Sequence, residues 1–329
     1  MEIHRMLTPR FVGKIIESPE DLAECIGVEL EPLTLISENK NDFYLSERTE
    51  RKKNGKYRKI NEPFPALKKI QAKVNEVFFY AVKFPKYLTG GVKGRSYVGS
   101  AIQHTRGRTV VTEDIEDFFP SVTAELVQKM WNELFGFPEE VSKILTQLTT
   151  YKGYLPQGAP TSTYIANLVL FDIEPQLVRE FQKRRLVYTR HVDDMNISAI
   201  RQLKPEEISY IRTRLGEALQ ERGFSLNGHK QQTKNSSEPC RIHGLLINSG
   251  RLTKGRKKIS NLRAAFKQLN NNLADTNDDQ IEVERLYRSL LGRVSELQQY
   301  QPLKAIPYKS KLLGAKKVAL QKWPTFLKK

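Results

Sequence analysis

Residues Leu186 to Ala199 read LVYTRHVDDMNISA, and this stretch organises the rest of the chain. Two runs of strand-forming residues flank the adjacent acids Asp193 and Asp194, which fall where a tight hairpin turn is expected. At such a turn both carboxylates reach one small volume, where they repel each other unless a cation lies between them. Because their oxygen ligands favour hard ions, the pattern indicates an Mg²⁺ or Mn²⁺ site, with a plain acidic turn as the alternative.

A second acidic segment reads DIEDFFPS from Asp114 to Ser121 and follows the strand-forming run Thr109 to Val111. A carboxylate at the end of a buried strand has to be paired, bound to metal, or placed at the rim. Asp114 is thus a candidate for presentation to a cleft, with local pairing or a position at the rim as the alternatives. A helix is expected to open at Pro120 and continue through Trp131.

The composition suits a soluble folded protein of two or three subdomains, because 39% of the 329 residues are apolar. No apolar run approaches the roughly 20 residues of a membrane span, and the amino terminus lacks a secretory pattern. Cys25 and Cys240 are too few for a disulfide scaffold or a four-cysteine zinc site. A reducing cytoplasmic location is expected.

The net charge of +17 predicts attraction to polyanions. The excess is uneven, since residues 251–329 contain 18 lysines and arginines against 6 acids. An anionic membrane surface is the alternative partner. Nucleic acid is favoured because no amphipathic helix with a Trp or Phe stripe accompanies the charge.

A basic stretch, RTERKKNGKYRKI, runs from Arg48 to Ile60, and Asn54-Gly55 predicts a hairpin turn within it. Lys56 and Arg58 alternate with their neighbours, so both project from one face of the returning strand. They are either exposed charges on an edge strand or a clamp on a triphosphate.

Two glycine-containing loops are candidates for close backbone approach. The segment TGGVKGRS, residues 89–96, is not a Walker A loop, and it is either a basic loop near a phosphate backbone or a plain turn. The segment YLPQGAPTS, residues 154–162, leaves its backbone open to a planar ligand and also supplies a helix N-cap. A helix is expected from about Tyr164 to Val178.

The remaining pattern predicts alternating helices and short strands. Pro205 to Arg222 has the period of an amphipathic helix, and Phe224 to Leu226 predicts a short strand. Arg241 to Asn248 predicts a strand and turn. From Ile259 onward, apolar residues at helical spacing predict a small bundle that carries the basic excess.

In this order, several of these segments resemble motifs of the bacterial retron-type reverse transcriptases, a branch related to group II intron enzymes. The motifs are KYRKINEP, GRS, DIEDFFPS, LPQGAPTS with IANL, YTRHVDD, LNGHK and IHGLLIN, within roughly residues 50 to 295. The resemblance implies an α+β right-hand polymerase fold, with fingers, a palm of antiparallel sheet with helices, and a helical thumb. We expect an N-terminal extension at 1–45, fingers at 46–108, a palm at 109–250 with a fingers segment at about 132–155, and a basic thumb at 251–329.

The resemblance also implies a catalytic centre. Asp114, Asp193 and Asp194 would bind two Mg²⁺ ions, with Mn²⁺ as an alternative, and the backbone carbonyl of Ile115 would be a further ligand. Lys230 corresponds to a lysine thought to protonate the leaving pyrophosphate, which is a general-acid role.

Further residues are assigned to the nucleotide by the same resemblance. Phe119 matches an aromatic residue beneath the incoming sugar, where its bulk would exclude a 2′-hydroxyl group. The expected nucleotide-binding residues are Lys56, Arg58, Phe119, Gln157 and Gly158.

The chain departs from the family pattern at its expected primer- and RNA-binding residues. His191 stands where the family usually has Tyr, and the signatures Asn-Ala-x-x-His and Val-Thr-Gly are replaced by segments that contain His104 and Gly244. In the family these signatures are associated with a cognate structured RNA and with priming from an internal 2′-hydroxyl. The chain either keeps that mode of priming or uses a different RNA or primer, as a sister defence-associated enzyme would.

The leading interpretation is an RNA-directed DNA polymerase that copies a noncoding RNA by two-metal nucleotidyl transfer, within an anti-phage system that the family context implies. One alternative is a defence-associated polymerase that makes untemplated or repetitive DNA, and another is a non-catalytic RNA-binding protein. The expected partners are a structured noncoding RNA, the DNA product, deoxynucleoside triphosphates and an effector protein, but no membrane.

Overall fold

The computed structural model describes residues 6–51, 55, 57–235, 237–275 and 279–327. Its strands are β1 (Arg10–Phe11), β2 (Arg48–Arg51), β3 (Tyr57–Ile60), β4 (Val82–Lys83), β5 (Thr109–Asp114), β6 (Leu186–His191), β7 (Asp194–Ala199), β8 (Gln232–Asn235), β9 (Arg241–Ile242) and β10 (Leu245–Leu246). Its α-helices are α1 (Pro19–Ile26), α2 (Leu30–Glu38), α3 (Pro65–Val77), α4 (Tyr97–Gln103), α5 (Phe118–Ser121), α6 (Ala124–Lys129), α7 (Glu139–Thr149), α8 (Ser162–Leu168), α9 (Glu174–Lys183), α10 (Pro205–Gln220), α11 (Arg256–Ala274), α12 (Gln280–Tyr300) and α13 (Pro302–Lys322).

The chain divides into two compact units. The first contains Met1–Ser100 and Arg108–Asn235, and the second contains Ala101–Gly107 and Ser236–Lys329. Each unit has its own cluster of buried apolar side chains. Across the described residues, we find no helix that combines the length and the apolar character needed to cross a membrane.

The first unit is built on a four-stranded antiparallel sheet with the order β6-β7-β5-β8. Its two central strands pair from Thr109 opposite Ala199 to Asp114 opposite Asp194. Alternating strand residues enter the core, which also receives apolar residues from α1, α2 and α3. The predicted α+β class, with an antiparallel sheet and packed helices, is confirmed.

The basic stretch forms an antiparallel hairpin, in which Arg48 pairs with Ile60 and Arg51 pairs with Tyr57. The predicted hairpin is therefore present. Asn54 of the predicted turn and the predicted triphosphate ligand Lys56 lie outside the described residues.

Two predicted helices are each interrupted. In the 120–131 segment, α5 ends at Ser121, and Thr123 caps the new helix α6 by accepting a hydrogen bond from Leu126 N at 3.4 Å. In the 164–178 segment, α8 ends at Leu168 and α9 begins at Glu174. Pro175 lacks an N–H group, so it suits the first turn of a new helix better than the middle of a long one.

The predicted strand from Phe224 to Leu226 is wrong. Leu226 instead makes an isolated antiparallel bridge with Ile115, just beyond the end of β5. The segment therefore ends beside Asp114, and Asn227 N donates to Asp114 O at 2.8 Å. Too few residues pair there to form a strand.

The second unit contains the predicted helical bundle. Helices α11, α12 and α13 pack through apolar side chains such as Leu269, Leu290 and Ala305, each with no exposed surface. A short hairpin, β9 with β10, confirms the strand and turn predicted for 241–248.

Candidate active site

Three carboxylates meet where the central strands of the sheet end. Asp114 closes β5 and pairs directly with Asp194, the first residue of β7. Asp193 lies in the turn between β6 and β7, where its carbonyl accepts a hydrogen bond from Ile115 N at 3.0 Å. One ligand oxygen from each of the three acids lies within 4.8 Å of the others, so this cluster could hold a metal ion.

The electrostatics of the cluster disfavour full ionisation. Burial, followed by the charges of Asp193 and Asp114, raises the pKa of Asp194 to about 7. A divalent cation bound between the three carboxyl groups would stabilise their ionised forms and remove the repulsion between them. The oxygen-only donor set suits a hard ion.

Lys230 lies beside the cluster, with its Nζ 2.7 Å from Asp114 Oδ2. Burial lowers the pKa of Lys230, but the hydrogen bond and charge of Asp114 outweigh this effect, so the pKa is raised above its ordinary value. A short helical turn from Gly228 to Lys230 places the ammonium group, and the Asn227 side chain caps this turn by accepting from His229 N at 3.2 Å.

A cavity of about 840 Å³ opens in front of the carboxylates. The three acids and Lys230 line it, together with the predicted nucleotide-binding residues Arg58, Phe119 and Gln157. The predicted metal ligand Ile115 and the predicted primer-binding residue His191 also line it. The Ile115 side chain is buried and has no donor atom, so the backbone carbonyl is the group of this residue that could bind a metal ion.

Arg58 is half-exposed and donates to Glu50, with Nη2 2.6 Å from Oε2. A triphosphate would have to replace Glu50 as its partner. Exposed ion pairs of this kind contribute little stability, so the exchange costs little.

Gly158 lies against the residues at the end of β3. Its φ is +119°, and a Cβ there would lie 3.2 Å from Ile60 Cγ2 and 3.3 Å from Asn61 O. Asn61 N also donates to Gln157 O at 2.8 Å. Gly158 therefore allows the end of β3 to approach this loop, which places Gln157 at the cavity.

The three predicted primer- and RNA-binding residues have different surroundings. His191 is half-buried, and its Nδ1 lies 3.4 Å from Thr89 Oγ1. Burial lowers the pKa of His191, which favours the neutral ring.

In the second unit, His104 is fully buried, and burial, then the charge of His243, lowers its pKa to about 3. A direct contact between His104 and RNA would require this segment to open. Gly244 has a φ of +78° in the turn between β9 and β10, and it lines a cavity of about 600 Å³ that also contains Arg241, His243, Lys254, Lys257 and Lys258.

Sequence reasoning missed Asn227 and Arg190 as residues of the site. Asn227 Nδ2 donates to Asp114 Oδ1 at 3.3 Å. The buried Arg190 guanidinium donates to Glu174 Oε1 at 2.6 Å and to Val192 O at 2.9 Å. A charged residue inside an apolar strand, as in YTRH, indicates a buried partner, but the sequence does not identify that partner.

Comparison with known proteins gives the same family. The family model described as reverse transcriptase (RNA-dependent DNA polymerase) matches residues 50–247. The Retron Se72 reverse transcriptase of Salmonella heidelberg is 34% identical over 258 residues, which are 77% of this chain and 68% of that protein.

Two Escherichia coli proteins are also similar. The Retron Ec48 reverse transcriptase is 28% identical over a region that covers 92% of this chain and 76% of that protein. The Retron Ec86 reverse transcriptase is 28% identical over 76% of this chain and 77% of that protein. The chain thus belongs to the bacterial retron-type reverse transcriptases and is an RNA-directed DNA polymerase.

Proposed function

We propose that the protein copies a structured noncoding RNA into DNA by two-metal nucleotidyl transfer, with Mg²⁺ as the working ion. The observation that carries this proposal is the meeting of Asp114, Asp193 and Asp194 within 4.8 Å. Two divalent ions bound there would orient the attacking 3′-hydroxyl and stabilise the leaving pyrophosphate. The backbone carbonyl of Ile115 is proposed as a further ligand.

Lys230 is proposed as the general acid. Its raised pKa keeps the ammonium group protonated at neutral pH, and its half-exposed side chain faces the cavity. It would move from Asp114 to the pyrophosphate and donate its proton as the P–O bond breaks.

Other residues of the proposed site would bind the nucleotide. Arg58, together with Lys56, would neutralise the triphosphate, and Gln157 would contact the base pair from a loop that Gly158 packs against β3. Phe119 would lie beneath the sugar and exclude ribonucleotides by contact with the 2′-hydroxyl.

The basic second unit would bind nucleic acid through phosphate groups and therefore without reading sequence. Gly244 belongs to this surface through the cavity that it lines with Arg241 and Lys258. His191 would contact the primer end, whereas His104 would support the RNA-binding surface from beneath it. A role in anti-phage defence, with an effector protein, is the biological context that we propose.

The direct test is to purify the protein from its host, sequence the nucleic acid that remains bound, and measure extension of a primed RNA with deoxynucleotides and Mg²⁺. A templated enzyme yields DNA complementary to the RNA, and Asp194→Asn yields none. DNA whose sequence ignores the added RNA would favour the untemplated alternative. RNA recovered without any DNA synthesis would favour a non-catalytic binding protein.

A further inference from the structure

The segment Tyr87–Gly91 runs along the outer edge of β6, beside the acidic turn. Arg190 N donates to Tyr87 O at 2.8 Å, and Thr89 N donates to Arg190 O at 2.9 Å. Leu88 thereby forms a parallel bridge with Arg190. β6 is the edge strand of the sheet, so one side of its backbone has no neighbouring strand. The Tyr87–Gly91 segment pairs with that side at Arg190, two residues before Val192 of the turn.

Gly90 lies directly against the turn. A Cβ at this position would lie 2.6 Å from Val192 N, 2.8 Å from His191 C and 2.7 Å from Val192 Cγ2. Two of these atoms are backbone, so they cannot move aside as a flexible side chain would. Gly90 itself has no positive φ, so the position requires space and not an unusual conformation.

Arg190 also contacts Val192, because its Nη1 donates to Val192 O at 2.9 Å. The φ of Val192 is +63°, a conformation that a β-branched residue adopts only when its surroundings impose it. Asn167 connects Gly90 with Arg190. Its side-chain Nδ2 donates to Gly90 O at 2.6 Å, and its backbone carbonyl accepts from Arg190 Nη2 at 2.9 Å. Both Arg190 and Asn167 are fully buried.

We propose that Gly90 is a positioning residue for nucleotidyl transfer, because the backbone contact that it permits fixes the turn carrying Asp193 and Asp194 against Asp114. The inference rests on the proposed metal-binding role of these carboxylates. Asp193 directly follows Val192, so displacement of Val192 changes the separation of the ligand oxygens. Two-metal catalysis requires ions about 3.5–4 Å apart and tolerates little displacement of their ligands.

The test compares Gly90→Ala with a matched control, Gly216→Ala. Gly216 lies within α10, and a Cβ there would make only an ordinary contact, 3.9 Å from Leu226 Cδ1. Binding of Mn²⁺ alone is measured by electron paramagnetic resonance, and single-nucleotide addition to a primed RNA is measured against Mg²⁺ concentration. Thermal unfolding of each variant reports whether the fold is retained.

For Gly90→Ala we expect the Mn²⁺ dissociation constant to rise about threefold or more, and nucleotide addition to slow by about tenfold or more, with the melting temperature close to that of the wild type. Gly216→Ala should match the wild type. A merely structural role of Gly90 would change the folded fraction but not the metal affinity of the folded molecules. A folded Gly90→Ala protein with wild-type Mn²⁺ binding and rate would overturn the inference.

Asn167→Ala provides a second variant. It keeps Gly90 but removes the hydrogen bond that the Asn167 side chain donates to the Gly90 carbonyl. It should shift Mn²⁺ binding in the same direction by a smaller factor. If Gly90→Ala does not fold, wild-type Mn²⁺ affinity in Asn167→Ala overturns the inference. Equal Mn²⁺ binding by the wild type and by Asp114→Asn would instead reject the proposed metal role, and this inference with it.

Discussion

Lys230 and Asp114 form an ion pair in which Nζ lies 2.7 Å from Oδ2, with the lysine side chain 49% exposed and the aspartate side chain 4% exposed. One partner is therefore fixed at the end of a buried strand, and the other can move. Because Asp114 is buried, it needs a cation beside it, and Lys230 can exchange the carboxylate for a phosphate oxygen once a bound metal ion neutralises Asp114.

Lys230→Gln should slow nucleotide addition by about 10²-fold, the lower range for loss of a general acid. Lys230→Arg keeps the positive charge but holds its proton too tightly to act as an acid, so it should restore nucleotide affinity and not the rate. Single-turnover extension separates these two effects. Lys143→Gln, on the exposed face of α7, is the control and should behave as the wild type. An Arg variant with the wild-type rate would show that the charge matters and the proton does not.

Asp194→Asn should abolish polymerisation and yet stabilise the metal-free protein at pH 8 by about 1–3 kcal/mol. The pKa of Asp194 is raised to about 7, so the stability that is present below the ordinary pKa of about 3.9 is lost progressively as the pH rises to about 7, where the folded carboxylate becomes charged. The difference in unfolding free energy between the variant and the wild type should therefore be smallest at about pH 4, grow between about pH 4 and pH 7, and be largest at pH 8. Denaturant unfolding in a chelator measures it. A difference independent of pH would contradict this explanation.

Phe119→Val should reduce the preference for deoxynucleotides over ribonucleotides by about tenfold, since the loss of a steric contact of this kind is worth roughly 1–3 kcal/mol. Phe119 is half-buried, lines the cavity, and packs edge-to-face on Phe118 at 6.3 Å. Competition between the two nucleotides on a primed RNA gives the discrimination ratio. The deoxynucleotide rate serves as the internal control and should change little. An unchanged ratio would remove Phe119 from this role.

Much of the acidic cluster could be predicted from the sequence because its determinants are local. Strand periodicity and turn chemistry place Asp193 and Asp194 at a hairpin, and the end of a strand places Asp114. The pairing of Asp114 with Asp194 then follows from the sheet register. The helical bundle was predictable for the same reason, since its apolar spacing is sustained over several turns.

The surroundings of the cluster could not be predicted, because they depend on contacts between distant segments. A side chain at position 90 would collide with Val192, about a hundred residues later. One at position 158 would crowd Ile60 and Asn61, and the φ of +119° there also favours glycine. The interrupted helices have a different cause. Local caps and Pro175 competed with a continuous apolar pattern, and the spacing alone does not show which prevails.

His104 should make the protein sensitive to acid. Burial lowers the pKa of His104 to about 3 in the folded protein. In the unfolded chain the imidazole binds a proton already near pH 6.5, the ordinary value. Stability is therefore complete above pH 6.5 and is lost as the pH falls toward 3, by about 2 kcal/mol at pH 5. The unfolding free energy of His104→Gln should fall less between pH 7 and pH 5 than that of the wild type. Parallel pH profiles would show that other groups cause the loss.

The cavity of the second unit should contribute more to nucleic-acid binding than its net charge alone explains. Arg241, Lys257 and Lys258 are exposed residues that line it, so three phosphates bound there would each release counterions. Replacing all three with Ala should reduce the slope of log K against log salt concentration by about 2–3, measured by fluorescence anisotropy with a labelled structured RNA.

A control of equal charge replaces three lysines of α13, namely Lys309, Lys311 and Lys316. The cavity variant should lose clearly more affinity than the control. Cations that line one cavity can contact a phosphate directly, whereas cations spread along a helix attract it only through the general field. Equal losses in the two variants would mean that the basic excess acts through the overall field of the unit, and the cavity would then have no particular role in holding the RNA.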